Sequence, residues 1–251
     1  AKNLTNKKIN VHFYHESKIN NLSPSRTIGI SKNNLEFFRK EIQEISKKTF
    51  REIKKIEIYS EKLVKENLLI FENNKDNLFY MIKNDKLYKL LINKISKNKF
   101  FKKILIRKKT FYTDLLKKNR YDLIINCDSS NFLSKKFFTK KIDKDYNNLA
   151  YTVILKHKKI ENNIATQIFT KNGPIAFLPI SNGETSIVCS LDTQNRKYND
   201  SEVFELISEN NPKYQIKKMG KLSSFRLRSS NLRNYYHLNI LAFGDLLHRI
   251  H

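Results

Sequence analysis

The sequence is poor in the residues that bend, stiffen or cross-link a chain. Its 251 residues include no Trp, 5 Gly, 4 Pro and 2 Cys. Two cysteines with no CxxC pair and no His/Cys cluster exclude a disulfide framework and give no zinc-site pattern. No apolar run approaches the roughly 20 residues of a membrane-spanning helix. No GxG is present, so these residues lack the glycine-rich loop that binds a diphosphate.

Positive charge is what the sequence has in excess. Lys and Arg number 49 against 24 Asp and Glu, a formal net charge of +25. Such a balance indicates nucleic acid, an anionic membrane or acidic ligands as partners. A second interpretation is drift, because Lys, Asn, Ile, Phe and Tyr all have A/T-rich codons. The Lys residues are scattered, so we expect them at the surface without one dominant basic groove, and nucleic acid is not an expected partner.

The first 148 residues have the periodicity of alternating strands and helices. Alternating or continuous apolar runs predict strands, and apolar residues at helical spacing predict helices. "YDLIINCDSS" is the strongest strand, since an all-apolar run suits a strand that is buried on both faces. The predicted strands are 9–17, 51–60, 67–73, 100–107 and 121–130, and the predicted helices are 32–42 and 86–95. Cys127 and Cys189 lie in such runs and are expected to be buried thiols.

From residue 149 the pattern changes to short strands in quick succession. Four runs, 149–157, 164–170, 174–180 and 185–192, are separated by turn sequences such as "KNG" and "SNG". They predict an antiparallel sheet. A helix over 200–210, opened by Asp200 or Ser201, and a strand over 221–230 follow. The last residues return to a strand and a helix joined by a Gly-Asp pair. The fold class is therefore α/β with an antiparallel insert.

The order of four motifs is similar to that of a known enzyme family. "SRTIGIS", "YDLIINCDSSN", "TQIFTKNGPIAFLPISNGETSIV" and "LAFGDLLHRIH" resemble the FAD-dependent aromatic hydroxylases of ubiquinone biosynthesis. These enzymes are built like p-hydroxybenzoate hydroxylase, and the resemblance runs from about residue 9 to 251. It implies an FAD/NAD(P)-binding dinucleotide fold with an inserted antiparallel substrate-binding sheet. The implied FAD-binding domain comprises 1–50, 76–148 and 221–251, and the implied substrate domain comprises 51–75 and 149–220.

The resemblance implies five cofactor-binding residues. Gly244 and Asp245 correspond to the pair beside the flavin, whose Asp hydrogen-bonds the ribityl chain. Arg26 matches an Arg before the first helix of the cofactor domain. Asp128 matches the Asp of an Asp-Gly motif, although Ser129 stands in place of the Gly. Glu16 would take the adenosine ribose hydroxyls at the end of the second strand, or His15 if the register differs by one. The alternatives are a helix cap for Asp245, a surface position for Arg26 and a plain turn for Asp128.

Further residues are assigned to the substrate or weighed as a metal site. Phe169, Ile175 and Phe177 are expected to face an aromatic substrate, although aromatic residues in such strands are also typical of a core. His248 and His251 have helical spacing for a metal pair, but no acidic or Cys partner accompanies them, so no metal site is expected. No catalytic side chain is assigned, because the flavin supplies the chemistry.

The implied function is hydroxylation of a (poly)prenylated aromatic ring, with FAD as cofactor and NAD(P)H as electron donor. The implied location is the cytoplasm or the mitochondrial matrix side, peripheral to the inner membrane, with other ubiquinone-biosynthesis proteins as partners. Because the GxGxxG unit, a downstream Gly-Gln-Gly loop and a small β-meander before residue 121 are not found, we expect a fragment or a decayed homologue that holds FAD poorly. The alternatives are a non-catalytic partner protein of the same fold and a basic protein that binds nucleic acid or a membrane surface.

Overall fold

The computed structural model describes most of the chain and divides it into two compact units. The first unit comprises Ala1–Ile104 and Leu149–Phe225, and the second comprises Leu105–Asn148 and Arg226–His251. The described residues are 1–15, 25–42, 46, 49–61, 67–73, 76–107, 110–117, 120–193 and 196–250.

These units differ from the two predicted domains. They share the boundary after residue 148, but all of the predicted FAD-binding residues before residue 105 lie in the first unit. Compactness reflects which residues contact one another, whereas the predicted domains were assigned by ligand. The division into FAD-binding and substrate domains therefore stays a prediction.

The described elements alternate between helices and strands up to residue 148 and are mostly strands afterwards. The helices are α1 (Lys2–Asn6), α2 (Lys32–Glu41), α3 (Asn84–Ser96), α4 (Phe111–Lys117), α5 (Phe132–Phe137) and α6 (Asp200–Glu209). The strands are β1 (Val11–His15), β2 (Thr27–Ile30), β3 (Arg51–Ile53), β4 (Lys55–Ser60), β5 (Asn67–Glu72), β6 (Phe79–Lys83), β7 (Phe101–Leu105), β8 (Ile124–Asn126), β9 (Lys141–His157), β10 (Ile164–Thr170), β11 (Gly173–Ser181), β12 (Glu184–Asp192), β13 (Ile216–Met219), β14 (Ser223–Leu232), β15 (Tyr236–His237), β16 (Ile240–Ala242) and β17 (His248–Arg249).

The largest sheet confirms the predicted antiparallel strands. In the first unit its order is β9-β12-β11-β10-β4-β5, and β13 also pairs with β9. β10 to β12 are antiparallel neighbours, whereas β4 joins β10 in parallel. One face of β9, β11 and β12 packs on α6 and forms the main core. This core includes Leu155, Phe177 and Ile187 from the sheet and Val203 and Ile207 from the helix.

Local side chains explain where the helices begin. α2 starts after Ser31, whose side chain accepts from the backbone of Asn34. α6 begins at Asp200, the first residue of the predicted helix, but its cap is Asn199 rather than Asp200 or Ser201. Asn199 accepts from the backbone of Glu202, and the Glu202 carboxylate accepts from the backbone of Asn199, a reciprocal capping box.

The run 51–60, predicted as one strand, is two strands in different sheets. β3 pairs with β6 in a three-stranded sheet of order β2-β6-β3, and β4 pairs with β10. Lys54 separates them, and its amide donates to the carbonyl of Asn163. Ile53 and Met81 of the small sheet pack with Ala165 of β10. The small sheet therefore lies on the face of the large sheet that is opposite α6.

The second unit contains a short parallel pair, as predicted. β8 pairs in parallel with β16, and β15 pairs antiparallel with β16. Leu133, Phe138 and Leu246 are among the residues of its core. α4 occupies the short connection before β8. β8 is shorter and less buried than predicted, since Ile125 is 44% exposed. Cys127, which follows the strand, is exposed, which corrects its predicted burial; Cys189 is buried.

The Gly-Asp pair leads into a different structure from the predicted helix. Gly244–Leu246 form one 3-10 turn, and β17 follows and pairs with β14. His248 therefore lies on a strand, where the helical spacing with His251 does not apply; His251 is outside the described residues. Pairing of β17 with Ser230 and Asn231 supplies the backbone hydrogen bonds that a longer helix would have made internally.

Candidate functional site

The carboxyl ends of β8 and β16 lie side by side in the second unit. Asn126 and Ala242 are register partners, and the amide of Phe243 donates to the carbonyl of Asn126 at 2.9 Å. Because the two strands are parallel, the turns that leave them start at one edge of the sheet. One turn carries Asp128 and the other carries Gly244 and Asp245. Ligands of open α/β sheets bind at such an edge.

The turn at Asp128 is held by its own side chains. One Asp128 carboxylate oxygen accepts from both the backbone amide and the hydroxyl of Ser130, at 2.7 Å each. The hydroxyl of Ser134 donates to the Asp128 carbonyl and accepts from the Asn126 amide at 2.8 Å. Ser129, which replaces the expected Gly, is not among the described non-glycine residues with positive φ. The turn thus forms without left-handed backbone, and Asp128 keeps a second oxygen outside these bonds.

The turn at Gly244 depends on glycine for its backbone conformation. Gly244 has a φ of +62°, and a Cβ placed there would meet no atom within 4 Å. Asp245 is exposed, and no residue that the structure describes hydrogen-bonds its carboxylate. The Asp245 carboxylate acts on the thiol of Cys127. Partial burial of the sulfur raises the pKa of Cys127, and the negative charge of Asp245 acts in the same direction. Asp245 is thus a free acceptor at the strand edge.

A cavity of about 690 Å³ opens beside these turns, within the second unit. This volume is in the range of small-ligand sites. Half of its lining residues are charged, with cations in excess of carboxylates. The charged lining residues are Lys135, Lys141, Lys144, Arg228, Arg249, Asp143, Asp145 and Asp245.

Two of these carboxylates are occupied by ion pairs. Lys141 contacts Asp143 at 2.8 Å, and Arg228 contacts Asp145 at 3.0 Å. Hydrogen bonds from Lys141 and then Ser230 lower the pKa of Asp143. The backbone amide of Asn147 is the main cause that lowers the pKa of Asp145, with Arg228 and Arg226 contributing.

Three cations of the cavity are not neutralised in this way. Lys135, Lys144 and Arg249 have no carboxylate partner in the part of the chain that the structure describes. Lys144 lies over the ring of Tyr146, and Arg249 donates weakly to Ser129 at 3.5 Å. The sequence analysis missed these cations. They lie on α5, β9 and β17, and no local pattern in the sequence marks them as neighbours.

Arg26 lies in the first unit, on the face of the large sheet opposite α6. Its guanidinium carbon is 4.9 Å from the centre of the Phe225 ring. The residues on either side anchor it: the hydroxyls of Ser25 and Thr152 are 3.0 Å apart, and Thr27 donates to Ser186 at 3.0 Å. Because Asp128, Gly244 and Asp245 belong to the second unit, their predicted convergence with Arg26 stays a prediction.

The three predicted substrate-facing residues are on two different faces of the large sheet. Ile175 and Phe177 are fully buried in the main core with α6. Phe169 is 46% exposed, and its direct partner in β11 is Pro174. On the face of Phe169, a half-buried row of Ile58, Gln167, Ala176 and Val188 crosses four strands in register.

The other candidate ligand residues are Glu16, His15 and His248. Glu16 lies outside the described residues, and its alternative His15 is the last residue of β1. His248 Nδ1 is 2.6 Å from Asn231 Oδ1. Across the described ranges no group of three or more His, Cys, Asp or Glu residues has the geometry to hold a metal ion.

Comparison with solved structures identifies the fold. A tetrameric 2-methyl-3-hydroxypyridine-5-carboxylic acid oxygenase matches 98% of this chain over 71% of its own, with a TM-score of 0.70 and 10% identity. PqsL, a probable FAD-dependent monooxygenase from Pseudomonas aeruginosa, matches 100% of this chain over 75% of its own, with a TM-score of 0.72 and 12% identity. The p-nitrophenol 4-monooxygenase PnpA from Pseudomonas putida DLL-E4 matches 99% over 69%, with a TM-score of 0.71 and 11% identity.

This chain shares the fold of FAD-dependent monooxygenases. The predicted α/β class with an antiparallel insert is thereby confirmed. No protein-family model and no curated protein matches the sequence. Within the described part of the chain, no helix is long and apolar enough to cross a membrane.

Proposed function

We propose that this chain is an FAD-dependent monooxygenase that hydroxylates a (poly)prenylated aromatic ring of ubiquinone biosynthesis, with NAD(P)H as the electron donor. One observation carries the proposal: the parallel pair β8 and β16 ends with Asp128 on one turn and Gly244 and Asp245 on the other. A fold that hosts many chemistries does not assign one, so the assignment depends on this edge and its polar groups.

The residues at the edge fit the hydroxylated part of FAD. The exposed Asp245 carboxylate is free to accept from sugar hydroxyls, and a charge-assisted hydrogen bond of this kind is among the stronger ones. The second oxygen of Asp128 is the other acceptor at this edge. No GxG stands in the given sequence, so these residues offer the diphosphate no glycine-rich loop. FAD, when bound, would supply the transfer of oxygen from O₂ to the ring after reduction by NAD(P)H.

The cavity of the second unit is our candidate for the donor. NAD(P)H carries a diphosphate, and Lys135, Lys144 and Arg249 are the cations that no described carboxylate neutralises. Cations of this kind bind phosphate oxygens directly. The hydroxyl of Ser129 in the same lining adds a neutral donor.

The aromatic ring would lie on the face of the large sheet opposite α6. Its half-buried row is apolar except for Gln167, and Phe169 lies on the same face. Arg26 is fixed over Phe225 beside this face, where its charge is available to an acidic ring substituent. The protein's part in the reaction is to hold the ring, orient it and keep water away.

Titration with FAD tests the proposal. Flavin fluorescence should be quenched by the chain, and Asp245→Asn should raise the Kd for FAD by about tenfold to a hundredfold, the equivalent of one charge-assisted hydrogen bond. Asp122→Asn is the matched control, because Asp122 precedes β8 at the opposite end of the strand. NAD(P)H oxidation in the presence of FAD and a prenylated phenol is the activity to measure.

Two results would reject parts of the proposal. Equal loss of FAD affinity in Asp122→Asn would remove the assignment of Asp245. Tight FAD binding with no NAD(P)H oxidation for any prenylated phenol would remove the substrate and the donor. The absence of FAD binding, with the fold intact by circular dichroism, would favour a non-catalytic partner protein. The observation that favours this second function is that Gly244 is the one glycine of the two described turns at this edge, so they lack a glycine-rich loop.

A further inference from the structure

β5 is an edge strand with an unusual concentration of exposed apolar residues. Among the residues that the structure describes, β5 pairs only with β4 and ends the order of the large sheet. All six of its residues are exposed. Four of them in a row are large and apolar, and each is between 44% and 56% exposed; they are Leu68, Leu69, Ile70 and Phe71.

This edge has little of the usual protection against pairing. Natural edge strands carry Lys or Pro, or are interrupted by bulges. β5 has a register shift at Leu68 but contains no Lys, Arg or Pro, although Lys and Arg number 49 in the chain. Within the part of the chain that the structure describes, one side of the strand thus presents unpaired backbone amides and carbonyls between apolar side chains. Such an edge is a template for another strand.

The sequence of β5 is complementary to itself. In antiparallel pairing about a twofold axis at Ile70, Ile70 of one copy faces Ile70 of the other, and Leu69 faces Phe71. Glu72 then faces Leu68, so no like charges are opposed. A twofold axis of this kind gives a closed dimer rather than a fibre.

Charge selects this strand over other surfaces of the molecule for contact between copies. Each copy carries a net charge of +25, so two copies repel over most of their surface. β5 has no cation, and its only charge is Glu72. Two copies therefore meet with the least repulsion at this edge. We propose that β5 pairs antiparallel with β5 of a second copy, which joins the large sheets of the two copies into one.

The molecular mass in solution and a register-specific cross-link test this dimer. Sedimentation equilibrium over a concentration series should give about twice 29.9 kDa. Leu69→Lys should give the monomer mass at the same concentrations, because a charge then lies opposite Phe71 of the other copy, next to the axis. Phe37→Lys is the matched control, since Phe37 is equally apolar and exposed on α2, and it should remain a dimer. Circular dichroism checks that each variant is folded.

The cross-link does not depend on the lysine variant. In a Cys127→Ser background, Ile70→Cys should form a disulfide-linked dimer faster than Leu123→Cys, because the two copies of residue 70 face each other. Three results would overturn the proposal: a monomer at all concentrations, a dimer that persists in Leu69→Lys, or a dimer in which Ile70→Cys does not cross-link. Binding of the monomer to phosphatidylcholine vesicles that is lost in Leu69→Lys would assign the edge to a lipid surface and would also overturn it.

Discussion

The backbone amide of Phe243 donates to the carbonyl of Asn126 at 2.9 Å and so joins the ends of two strands that are far apart in the sequence. Beyond this bond the two segments of the chain separate: the one after β8 leads to Asp128, and the one after β16 leads to Gly244. The bond fixes where the two turns begin, so the spacing of their polar groups is a property of the sheet rather than of the loops. Changes in either turn are therefore expected to act on ligand binding before they act on the fold.

Gly244 gives the first prediction. Its φ of +62° is strained for any residue with a Cβ, whereas the space around it is open. Gly244→Ala should therefore lower the free energy of unfolding by about 1 kcal/mol through backbone strain alone, without a steric clash. Gly244→Asn should cost less, because Asn tolerates this region better. Urea unfolding measures both, and equal losses for Ala and Asn would contradict the explanation by strain.

The cations of the cavity give the second prediction. Lys135→Gln and Arg249→Gln should each weaken NADPH binding, with an effect that shrinks as salt is raised, because each removes a screened charge from the lining. Neither should change the Kd for FAD. Lys136→Gln is the control: its ammonium lies 5.5 and 5.3 Å from the ring centres of Phe132 and Phe137, and it does not line the cavity. If Lys136→Gln weakened NADPH binding as much as Lys135→Gln and Arg249→Gln do, the effect would be one of net charge and not of the cavity.

The elements with strong periodicity could be predicted from the sequence. β10 has the predicted bounds, and α2 and α3 differ from the predicted helices by at most two residues at either end. Their apolar residues repeat at the period of the element, so each residue adds to the same signal. Where one run serves two sheets, as at Lys54, the pattern does not record the change of partner.

Only those residues of the candidate site that have a local signal in the sequence could be predicted. Gly244, Asp245 and Asp128 each end an apolar run, which is a local signal. Ile175 and Phe177 have the same alternation as Ala176 and Leu178, so the sequence does not show which face of β11 packs on α6. The cavity cations come from strands and helices that are distant in the sequence, and only the tertiary structure brings them together.

The two cysteines give the third prediction, which concerns pH. Burial raises the pKa of Cys189 to about 12, and partial burial followed by the Asp245 charge raises the pKa of Cys127 above its ordinary value. A raised thiol pKa means less thiolate at neutral pH, and the thiolate is the nucleophile. Native protein should thus react with a thiol reagent at Cys127 alone. The rate should increase about tenfold per pH unit up to the raised pKa of Cys127.

Two variants check this assignment. Cys127→Ser should abolish the reaction in native protein, and urea should then expose one thiol, that of Cys189. Asp245→Asn should shift the pH profile of Cys127 towards lower pH, because it removes a charge that disfavours the thiolate. An unchanged profile would show that Asp245 does not act on this thiol.

The fourth prediction compares two tyrosines that make the same kind of bond in different surroundings. The Tyr214 hydroxyl donates to Asn162 Oδ1 at 3.0 Å, and both residues are buried. The Asn162 amide in turn donates to Thr185, whose hydroxyl lies 3.0 Å from His157 Nε2. The Tyr198 hydroxyl donates to Asn172 Oδ1 at 3.4 Å and is half-buried. Tyr214→Phe leaves a buried oxygen of Asn162 without its donor, whereas Tyr198→Phe leaves Asn172 accessible to water.

Tyr214→Phe should therefore lower the free energy of unfolding by about 1–3 kcal/mol, the cost of an unsatisfied buried group. At roughly 2–4 °C per kcal/mol for a chain of this size, the loss in Tm is large enough to measure by calorimetry. Tyr198→Phe should cost less than about 1 kcal/mol. The ring of each residue is kept, so packing changes little and the difference isolates the hydroxyl. Equal losses of stability in the two variants would show that the burial of Asn162 does not determine the cost of removing the tyrosine hydroxyl. The hydrogen-bond network of Tyr214, Asn162, Thr185 and His157 would then stabilise the fold no more than an exposed hydrogen bond does.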